Sequence, residues 1–215
     1  MINKPLLIEL HFLPSIPYFK TILSFEQIIL EQKEHYIKRS FRNRSYIASA
    51  NGKLRLTIPL ERGKNQQKPI REVRISYEEN WQMKHWRAIY SAYGNAPFFE
   101  YYEEEIRPLY EEKMDFLFDY NLKYLNTIFS ILAIRPTIQL SQQFLPFDEP
   151  HVEDFRNKIN PRITTQQNDA THPKLFYPQV FMEKTGFLPN LSILDLIFCT
   201  GPEVLSILQY SKNDF

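Results

Sequence analysis

Near its beginning the chain contains two short apolar runs, separated by a proline-containing turn and a helical segment. Residues 6–10 (LLIEL) and 27–31 (QIILE) have the length and composition of buried strands. Pro14 and Pro17 exclude a helix or a central strand across the turn, and Pro17 suits the start of a helix over residues 18–24. The order strand, helix, strand predicts a βαβ unit. In such sheets the turn after the first strand commonly lies at a ligand site.

A hairpin, a further strand and several helices are predicted in the rest of the chain. Asn51 and Gly52 form a two-residue turn signal between two strand-like segments, which predicts a hairpin. Residues 70–76 also alternate and predict a strand, whereas residues 141–175 are polar and rich in proline, which indicates a long loop. Helices are predicted over residues 80–93, 98–110, 114–132, 191–198 and 203–210, and a short strand over residues 137–140.

Together these elements predict an α/β fold, with a mixed βαβ-type sheet in the N-terminal half and helices packed over it. Hydrophobic residues make up 43% of the 215 residues, which is enough for a substantial core. We expect a single domain over residues 1–215. Its parts are an α/β part over about 1–76, a helical part over about 77–134, and a long loop with C-terminal helices over 135–215.

Composition argues against several classes of function. Gly is scarce, with five residues, and no glycine-rich phosphate loop is present. The net charge of +1 argues against a nucleic-acid partner, which would need a broad basic face. The one cysteine, Cys199, gives no internal disulfide and no zinc-ligand spacing, and it favours a cytoplasmic location. No apolar run approaches the roughly 20 residues of a membrane span.

The strongest functional signal is the basic stretch, residues 38–46, which holds four cations and no acid. Aromatic and amide groups such as Phe41 and Asn43 alternate with the cations. Guanidinium groups donate forked hydrogen bonds to phosphate or carboxylate, so the stretch predicts an anionic ligand. We expect it to face the turn at residues 11–17 across one cleft. The alternatives are a solvated basic turn or a structural network with the acidic helix at residues 103–105.

Two titratable residues lie within apolar helical patterns. His85 is on the apolar side of its helix and is either a buried core residue or a general base. Asp195 interrupts an apolar helix, so it requires a partner, which we predict to be His85 or an arginine of the basic stretch. Such a pair is either catalytic or a buried structural ion pair. His151 and His172 fall in the predicted loop, where their spacing says little about a metal site.

Five ordered segments of the chain resemble the WbqC-like proteins. Residues 11–19 (HFLPSIPYF) resemble the family's Y-x-P-x-x-x-Y-F element, and residues 36–44 (YIKRSFRNR) resemble its Y-x-K-x-x-x-R-N-R element. Residues 56–59 (LTIP), the helical segment 81–102 and the C-terminal segment 186–198 are similar to its further elements. The resemblance covers nearly the full length of the chain.

The resemblance implies a bacterial enzyme of surface-polysaccharide (O-antigen) biosynthesis. It would bind an anionic sugar or nucleotide-sugar intermediate, and acyl or aminoacyl transfer to an amino sugar is one reaction that the resemblance implies. The alternative is a non-catalytic protein of the same pathway that binds a phosphorylated ligand or acts as a scaffold. Neither the residues nor the resemblance names a cofactor, and no metal site is predicted.

The residues that match the family's segments supply the predicted site. The catalytic candidates are His85 and Asp195. Candidate ligand-binding residues are Lys38, Arg42, Asn43, Arg44, Tyr18 and Asn190; for Tyr18 the alternative is a core ring, and for Asn190 a helix cap. In the family the position of His11 is often aromatic or small, and that of Glu9 is not usually acidic. Neither residue is therefore expected to take part in shared chemistry.

Overall fold

The computed structural model of the protein describes residues 4–62, 65–147, 149–161 and 175–210. Within these residues the strands are β1 (Leu6–Glu9), β2 (Gln27–Glu31), β3 (Arg44–Ser49), β4 (Gly52–Thr57), β5 (Thr137–Leu140) and β6 (Glu153–Asp154). A parallel sheet has the strand order β5–β2–β1–β6, and β3 pairs with β4 as a separate antiparallel hairpin. The predicted α/β class is confirmed, and the antiparallel pairing lies in the predicted hairpin rather than in the main sheet.

The helix α1 (Ile16–Ile22) connects β1 to β2 and completes the predicted βαβ unit. Pro17 lies in its first turn, where the missing N–H removes no helical hydrogen bond. Every residue of β1 is buried, as expected for a central strand covered on both faces. The apolar run therefore reflects the position of β1 in the middle of the sheet.

The path of the chain across the sheet reverses at β1. From β1 the chain passes to β2 and then to β5 on one side, and it later places β6 on the other side of β1. A reversal of this kind opens a crevice at the carboxyl ends of the two diverging strands, where open α/β sheets bind their ligands. A ligand site is therefore expected at the carboxyl ends of β1 and β6.

Helices surround the sheet and the hairpin and share one buried core with them. The structure places them at α2 (Trp81–Tyr93), α3 (Phe99–Ile106), α4 (Leu117–Ile131), α5 (Met182–Thr185), α6 (Ile193–Thr200) and α7 (Val204–Tyr210). Asn80 caps α2, because its side chain accepts a hydrogen bond from Met83 N. The buried side of α2 includes Trp81, Ile89 and Tyr93, at the spacing that predicted the helix.

Three local predictions were wrong. Residues 70–76 form a 3-10 turn at Ile70–Glu72 followed by two isolated bridges to different partners, because Pro69 starts a turn there instead of a ladder. The predicted loop at 141–175 contains β6, which is too short to show a periodic pattern. The helix α6 is capped by Ser192, whose Oγ accepts from Leu194 N, and not by Asn190. His172 lies outside the described residues.

Candidate functional site

Two carboxylates stand side by side at the carboxyl ends of the central strands. Glu9 ends β1 and Glu31 ends β2, and the two residues are partners in the parallel register. Both are almost completely buried. Because a buried carboxylate is costly without a counterion, each requires a cation brought from another part of the chain. Arg42 supplies this charge beside Glu9, and Arg156 supplies it beside Glu31.

Arg42 is completely buried and binds a second glutamate. Its Nε donates to Glu34 Oε1 at 2.7 Å, its Nη2 donates to Glu34 Oε2 at 2.5 Å, and Nη2 also donates to Asn157 Oδ1 at 3.1 Å. Nη1 lies 3.8 Å from Glu9 Oε1 and has no hydrogen-bond partner within the described part of the chain. Asn121 Nδ2 donates to the backbone carbonyl of Arg42 at 2.7 Å. Arg42 is thus held as an internal countercharge, with one of its N–H groups left over.

Arg156 plays the corresponding part beside Glu31. Its Nη1 donates to Glu31 Oε2 at 3.2 Å, its Nη2 donates to Asp154 Oδ2 at 2.6 Å, and Nη2 also reaches Pro146 O at 3.1 Å. Ser141 Oγ donates to the other oxygen of Glu31 at 2.6 Å. The guanidinium therefore joins β2 to β6 and to the segment that precedes β6.

His11 and Glu9 form a hydrogen-bonded pair beside Arg42. His11 Nε2 lies 2.9 Å from Glu9 Oε1, and Asn157 N donates to Glu9 Oε2 at 2.9 Å. Burial raises the pKa of Glu9, but His11, Arg42 and the Asn157 N–H outweigh it and lower the pKa to about 2. Burial, together with Arg42, lowers the pKa of His11, so its ring is neutral at pH 7. With the proton on Nε2, the lone pair is on Nδ1.

The open nitrogen of His11 has the properties of a general base. Among the residues that the structure describes, Nδ1 has no hydrogen-bond partner. The ring is fixed by Glu9 on one side and by Tyr18, whose ring centroid is 4.5 Å away. A neutral histidine that is oriented by a carboxylate is the usual arrangement for proton abstraction. The ring is completely buried, so a substrate reaches Nδ1 only after neighbouring side chains move.

The cluster as a whole has more carboxylates than guanidinium groups. It contains two cations, Arg42 and Arg156, and four carboxylates that lie within 4 Å of them, which are Glu9, Glu31, Glu34 and Asp154. Burial raises the pKa of Glu34. If Glu34 were protonated, the three other carboxylates would still outnumber the two cations. A phosphate would be repelled by this cluster, whereas the ammonium of an amine would be attracted.

A cavity of about 380 Å³ adjoins the cluster on the side of β6. Asp154 and Arg156 belong both to the cluster and to the wall of the cavity. Phe147, Glu149 and Lys158 also line it. The backbone N–H of Asn157, in the same segment, donates to Glu9 as described above.

The structure places the ligand-binding candidates of the basic stretch in different environments. Lys38 is exposed and Arg44 is partly buried, with a buried Nε that has no hydrogen-bond partner in the described ranges. Arg42 is buried in the cluster, where its guanidinium donates to Glu34. Asn43 accepts from Tyr36 Oη and donates to Ile58 O, each at 2.9 Å, so its amide links the side chain of Tyr36 to the backbone of Ile58.

The turn at residues 11–17 contacts the basic stretch directly. Phe12 N donates to Phe41 O at 2.9 Å, and Ser45 Oγ donates to Leu13 O at 2.7 Å. Tyr18, the remaining aromatic candidate, is completely buried and donates its hydroxyl to the backbone carbonyl of Glu9 at 2.9 Å. Contact between the two segments brings His11 and Arg42 to the same carboxylate, Glu9.

His85 is buried on α2, and its ring accepts a hydrogen bond. Its Nε2 accepts from Thr57 N at 3.2 Å, and its ring lies 5.1 Å from that of Trp81. Since Nε2 holds the lone pair, the ring proton is on Nδ1, which has no partner among the described residues. Burial lowers the pKa of His85 to about 4. In this arrangement His85 offers an N–H donor and has no free lone pair to act as a base.

We expect His85 to make folding stability depend on pH. Its pKa is about 4 in the folded protein and about 6.5 when unfolded, so the stabilisation is complete above pH 6.5 and is lost as the pH falls toward 4. The loss would be about 3 kcal/mol. His85→Gln, which keeps an acceptor for Thr57 N, should remove this contribution to the pH dependence of the unfolding free energy. Urea unfolding at pH 7, 5.5 and 4 measures that dependence. The same pH dependence in the two proteins would contradict the expectation.

Asp195 is fully buried on α6, and its predicted partners were wrong. Its carboxylate accepts from Tyr93 Oη at 2.8 Å, from Tyr177 Oη at 2.5 Å and from Gln179 Nε2 at 2.9 Å. Neither His85 nor an arginine of the basic stretch is among these donors. The carboxylate is therefore satisfied by neutral hydrogen-bond donors. Burial raises the pKa of Asp195, although the hydrogen bonds from these donors act to lower it. The arrangement ties α2 and the 177–179 segment to α6.

The sequence reasoning missed most of the buried cluster. It set aside Glu9 and His11 because they depart from the family pattern, and it gave no role to Glu34, Arg156 or Asn157. One signal was present, since Glu9 and Glu31 each stand at the end of an apolar run that was predicted as a strand. In parallel neighbours such ends meet at one edge, so charges there predict a polar site.

Other classes of site find little support in the described ranges. Residues 4–62, 65–147, 149–161 and 175–210 contain no group of three or more His, Cys, Asp or Glu arranged to hold a metal ion. His151 is exposed. Burial raises the pKa of Cys199 to about 12, which keeps the thiol protonated and unreactive at neutral pH. None of the helices described above has the length and apolarity needed to cross a membrane.

Comparison with known proteins identifies the family. No solved structure matches the chain. A protein of Mycobacterium tuberculosis (strain H37Rv), named as uncharacterized protein Rv1507c, is 27% identical over 233 residues, covering 98% of this chain and 100% of the relative. The WbqC-like protein family matches residues 10–167, which is more than half of the chain and includes His11, Arg42 and Arg156. The protein therefore belongs to the WbqC-like protein family.

Proposed function

We propose that the protein is an enzyme of bacterial surface-polysaccharide (O-antigen) biosynthesis. In this proposal it binds an anionic sugar or nucleotide-sugar intermediate and transfers an acyl or aminoacyl group to an amino sugar. The main support is the Glu9–His11 pair at the carboxyl end of β1, with Nδ1 of a neutral imidazole left without a partner in the described structure. The pathway is the one that the resemblance to the WbqC-like proteins implies.

The chemistry of the cluster suits an amine substrate. An amino sugar carries an ammonium group at neutral pH, and the excess of carboxylates stabilises it. His11 Nδ1 would take one proton from the ammonium and later release it to solvent, and the free amine would attack the carbonyl of an activated acyl ester or thioester. As the new C–N bond forms and the bond to the alcohol or thiol breaks, the nitrogen loses a second proton, which the leaving group takes up. Arg42 Nη1, a donor beside Glu9 with no hydrogen-bond partner among the described residues, could hydrogen-bond an oxygen of the substrate.

The anionic part of the substrate requires different residues. Arg42 is neutralised by Glu34 and Glu9, so Lys38 and Arg44 are better candidates for binding phosphate. His11 and Glu9 replace His85 and Asp195 as the proposed acid/base pair, because His85 has no free lone pair and Asp195 is fully occupied by three donors. Tyr18 orients His11, and Asn190 keeps no specific role in the proposal.

Turnover is expected to depend on His11 far more than on His85. The purified protein would be incubated with amino-sugar nucleotides and short-chain acyl thioesters, and the N-acylated product followed by mass spectrometry. His11→Gln should lower kcat/KM by about 10²–10⁴-fold, the usual contribution of a general base. His85→Gln should keep most of the activity, since glutamine retains the acceptor for Thr57 N.

Binding of the anionic part is measured separately by thermal shift. Arg44→Ala should reduce the increase in Tm that nucleotide-sugars produce, and His11→Gln should leave that increase nearly unchanged. If His11→Gln and His85→Gln reduce turnover equally, His11 is not the base. If the natural protein acylates no amino sugar with any of the acyl thioesters, the transferase proposal fails.

The second candidate function is non-catalytic binding or scaffolding in the same pathway. It is favoured by the complete burial of His11 and Arg42, which closes these two side chains to solvent. In that case the charges serve folding only, and ligands would bind at Lys38 and Arg44. A ligand-induced increase in Tm without any turnover, unaffected by His11→Gln, would select this alternative.

A further inference from the structure

Two phenylalanines expose their rings beside the cavity next to β6. Phe147 is 67% exposed and Phe144 is 46% exposed, and their ring centroids are 6.0 Å apart. The guanidinium of Arg156 lies 4.5 Å from the Phe147 ring centroid and 4.8 Å from that of Phe144. Because Arg156 is itself fixed by Glu31, Asp154 and Pro146 O, its contacts restrain both rings. We call the pair Phe144 and Phe147 the aromatic platform.

The groups that line the cavity favour a hydroxyl-bearing guest that carries no phosphate. Glu149, Glu153 and Asp154 line it together with Arg156 and Lys158. The side chain of Arg156 already makes its hydrogen bonds within the protein. Carboxylates accept hydrogen bonds from hydroxyl groups, but they repel phosphate. Phe147 adds an aromatic surface to these polar groups, and small-molecule sites combine such surfaces with a few polar groups that orient the ligand.

We propose that this cavity is a sugar subsite, in which the apolar face of a sugar ring packs on Phe147 and the ring's hydroxyl groups donate to the carboxylates of Glu149 and Asp154. The inference rests on the proposed function, because it places the sugar ring of that substrate. The segment that lines the cavity also contacts the carboxylate that orients the proposed base, since Asn157 N donates to Glu9 Oε2 and His11 Nε2 hydrogen-bonds Glu9 Oε1. The sugar would thus lie on the β6 side of the Glu9–His11 pair.

The aromatic platform is preorganised for this purpose. Each ring has one side restrained by the guanidinium, and the large exposed fraction of Phe147 leaves surface for a ligand. A side chain that is already ordered loses little conformational freedom on binding, so a modest contact yields useful affinity. Tyr101 offers a matched comparison, because it is 72% exposed and lies on α3 without lining the cavity.

The test is binding of simple sugars to the full chain without any acyl donor. Titration calorimetry would measure Kd for glucosamine and N-acetylglucosamine, with uridine as the nucleoside probe. Phe147→Ala should weaken sugar binding by about tenfold, in line with the loss of one aromatic contact. Tyr101→Ala should leave Kd unchanged, and Glu149→Gln should weaken sugar binding without changing the fold.

Several outcomes would overturn the sugar subsite. These are the absence of sugar binding at millimolar concentration, equal effects of Phe147→Ala and Tyr101→Ala, or Phe147-dependent binding of uridine but not of sugars. The subsite and the proposed function can fail separately. If sugar binding depends on Phe147 but no acyl transfer is found, the sugar subsite is supported and the transferase proposal is rejected. If acyl transfer is found and Phe147→Ala leaves its KM unchanged, the transferase proposal is supported and the subsite is rejected.

Discussion

Replacing Glu34 with alanine is expected to lower the free energy of unfolding by about 3–5 kcal/mol. The change removes the two hydrogen bonds that Glu34 accepts from the completely buried guanidinium of Arg42 and leaves only the bond to Asn157 Oδ1. Glu9 stays at 3.8 Å from Nη1, too far for a hydrogen bond, so it cannot take over the lost contacts without moving. Chemical denaturation at pH 7 with a two-state fit measures the effect.

Two control variants separate burial from charge pairing. Arg71→Ala breaks an ion pair with Asp119 in which both side chains are more than a third exposed, so it should cost less than about 1 kcal/mol. Glu34→Gln keeps one acceptor oxygen for the guanidinium, so its cost should fall between those of Arg71→Ala and Glu34→Ala. If Glu34→Ala costs no more than Arg71→Ala, the buried pair is not the structural element described here.

Replacing Asp195 with alanine is expected to cost a similar amount, about 3–5 kcal/mol. The buried hydroxyls of Tyr93 and Tyr177 would lose their acceptor, whereas Gln179 Nε2 keeps Leu188 O and Tyr177 Oη as acceptors. Each unsatisfied buried donor costs roughly 1–3 kcal/mol with incomplete additivity. Tyr93 also accepts from Ala48 N, so the loss would loosen the contact between α2 and β3. Thermal and urea unfolding both measure it.

Asp195→Asn and Gln179→Ala are the controls for this second change. Asparagine keeps one acceptor oxygen, so its cost should fall between those of alanine and the natural residue. Gln179→Ala removes one of the donors to Asp195 together with the hydrogen bonds between its amide and Leu188 N and O, so it should cost about 1–3 kcal/mol. Because burial raises the pKa of Asp195, its protonated form favours folding, and that contribution is lost as the pH rises through the folded pKa. Asp195→Asn should abolish this dependence; equal pH profiles would contradict the assignment.

The local elements could be predicted because they depend on neighbouring residues. The strand Gln27–Glu31 was predicted with its actual bounds, and the α2 helix and the Asn51–Gly52 hairpin were found from periodicity and turn residues. The βαβ unit followed from the order of these elements, because a helix that joins two neighbouring strands places them parallel in one sheet, with a right-handed crossover. Strand β6 could not be found this way, since two residues in a polar segment carry no period.

The sequence by itself determined the α/β class, the buried central strands and the presence of a carboxylate at the end of each. Only the tertiary structure decided the counterions: Arg42 pairs with Glu34 and approaches Glu9, Arg156 comes from 125 positions away to Glu31, and Asp195 receives neutral donors. The physical reason is that local pattern fixes which residues are buried, whereas the partner of a buried charge depends on which distant segment packs against it.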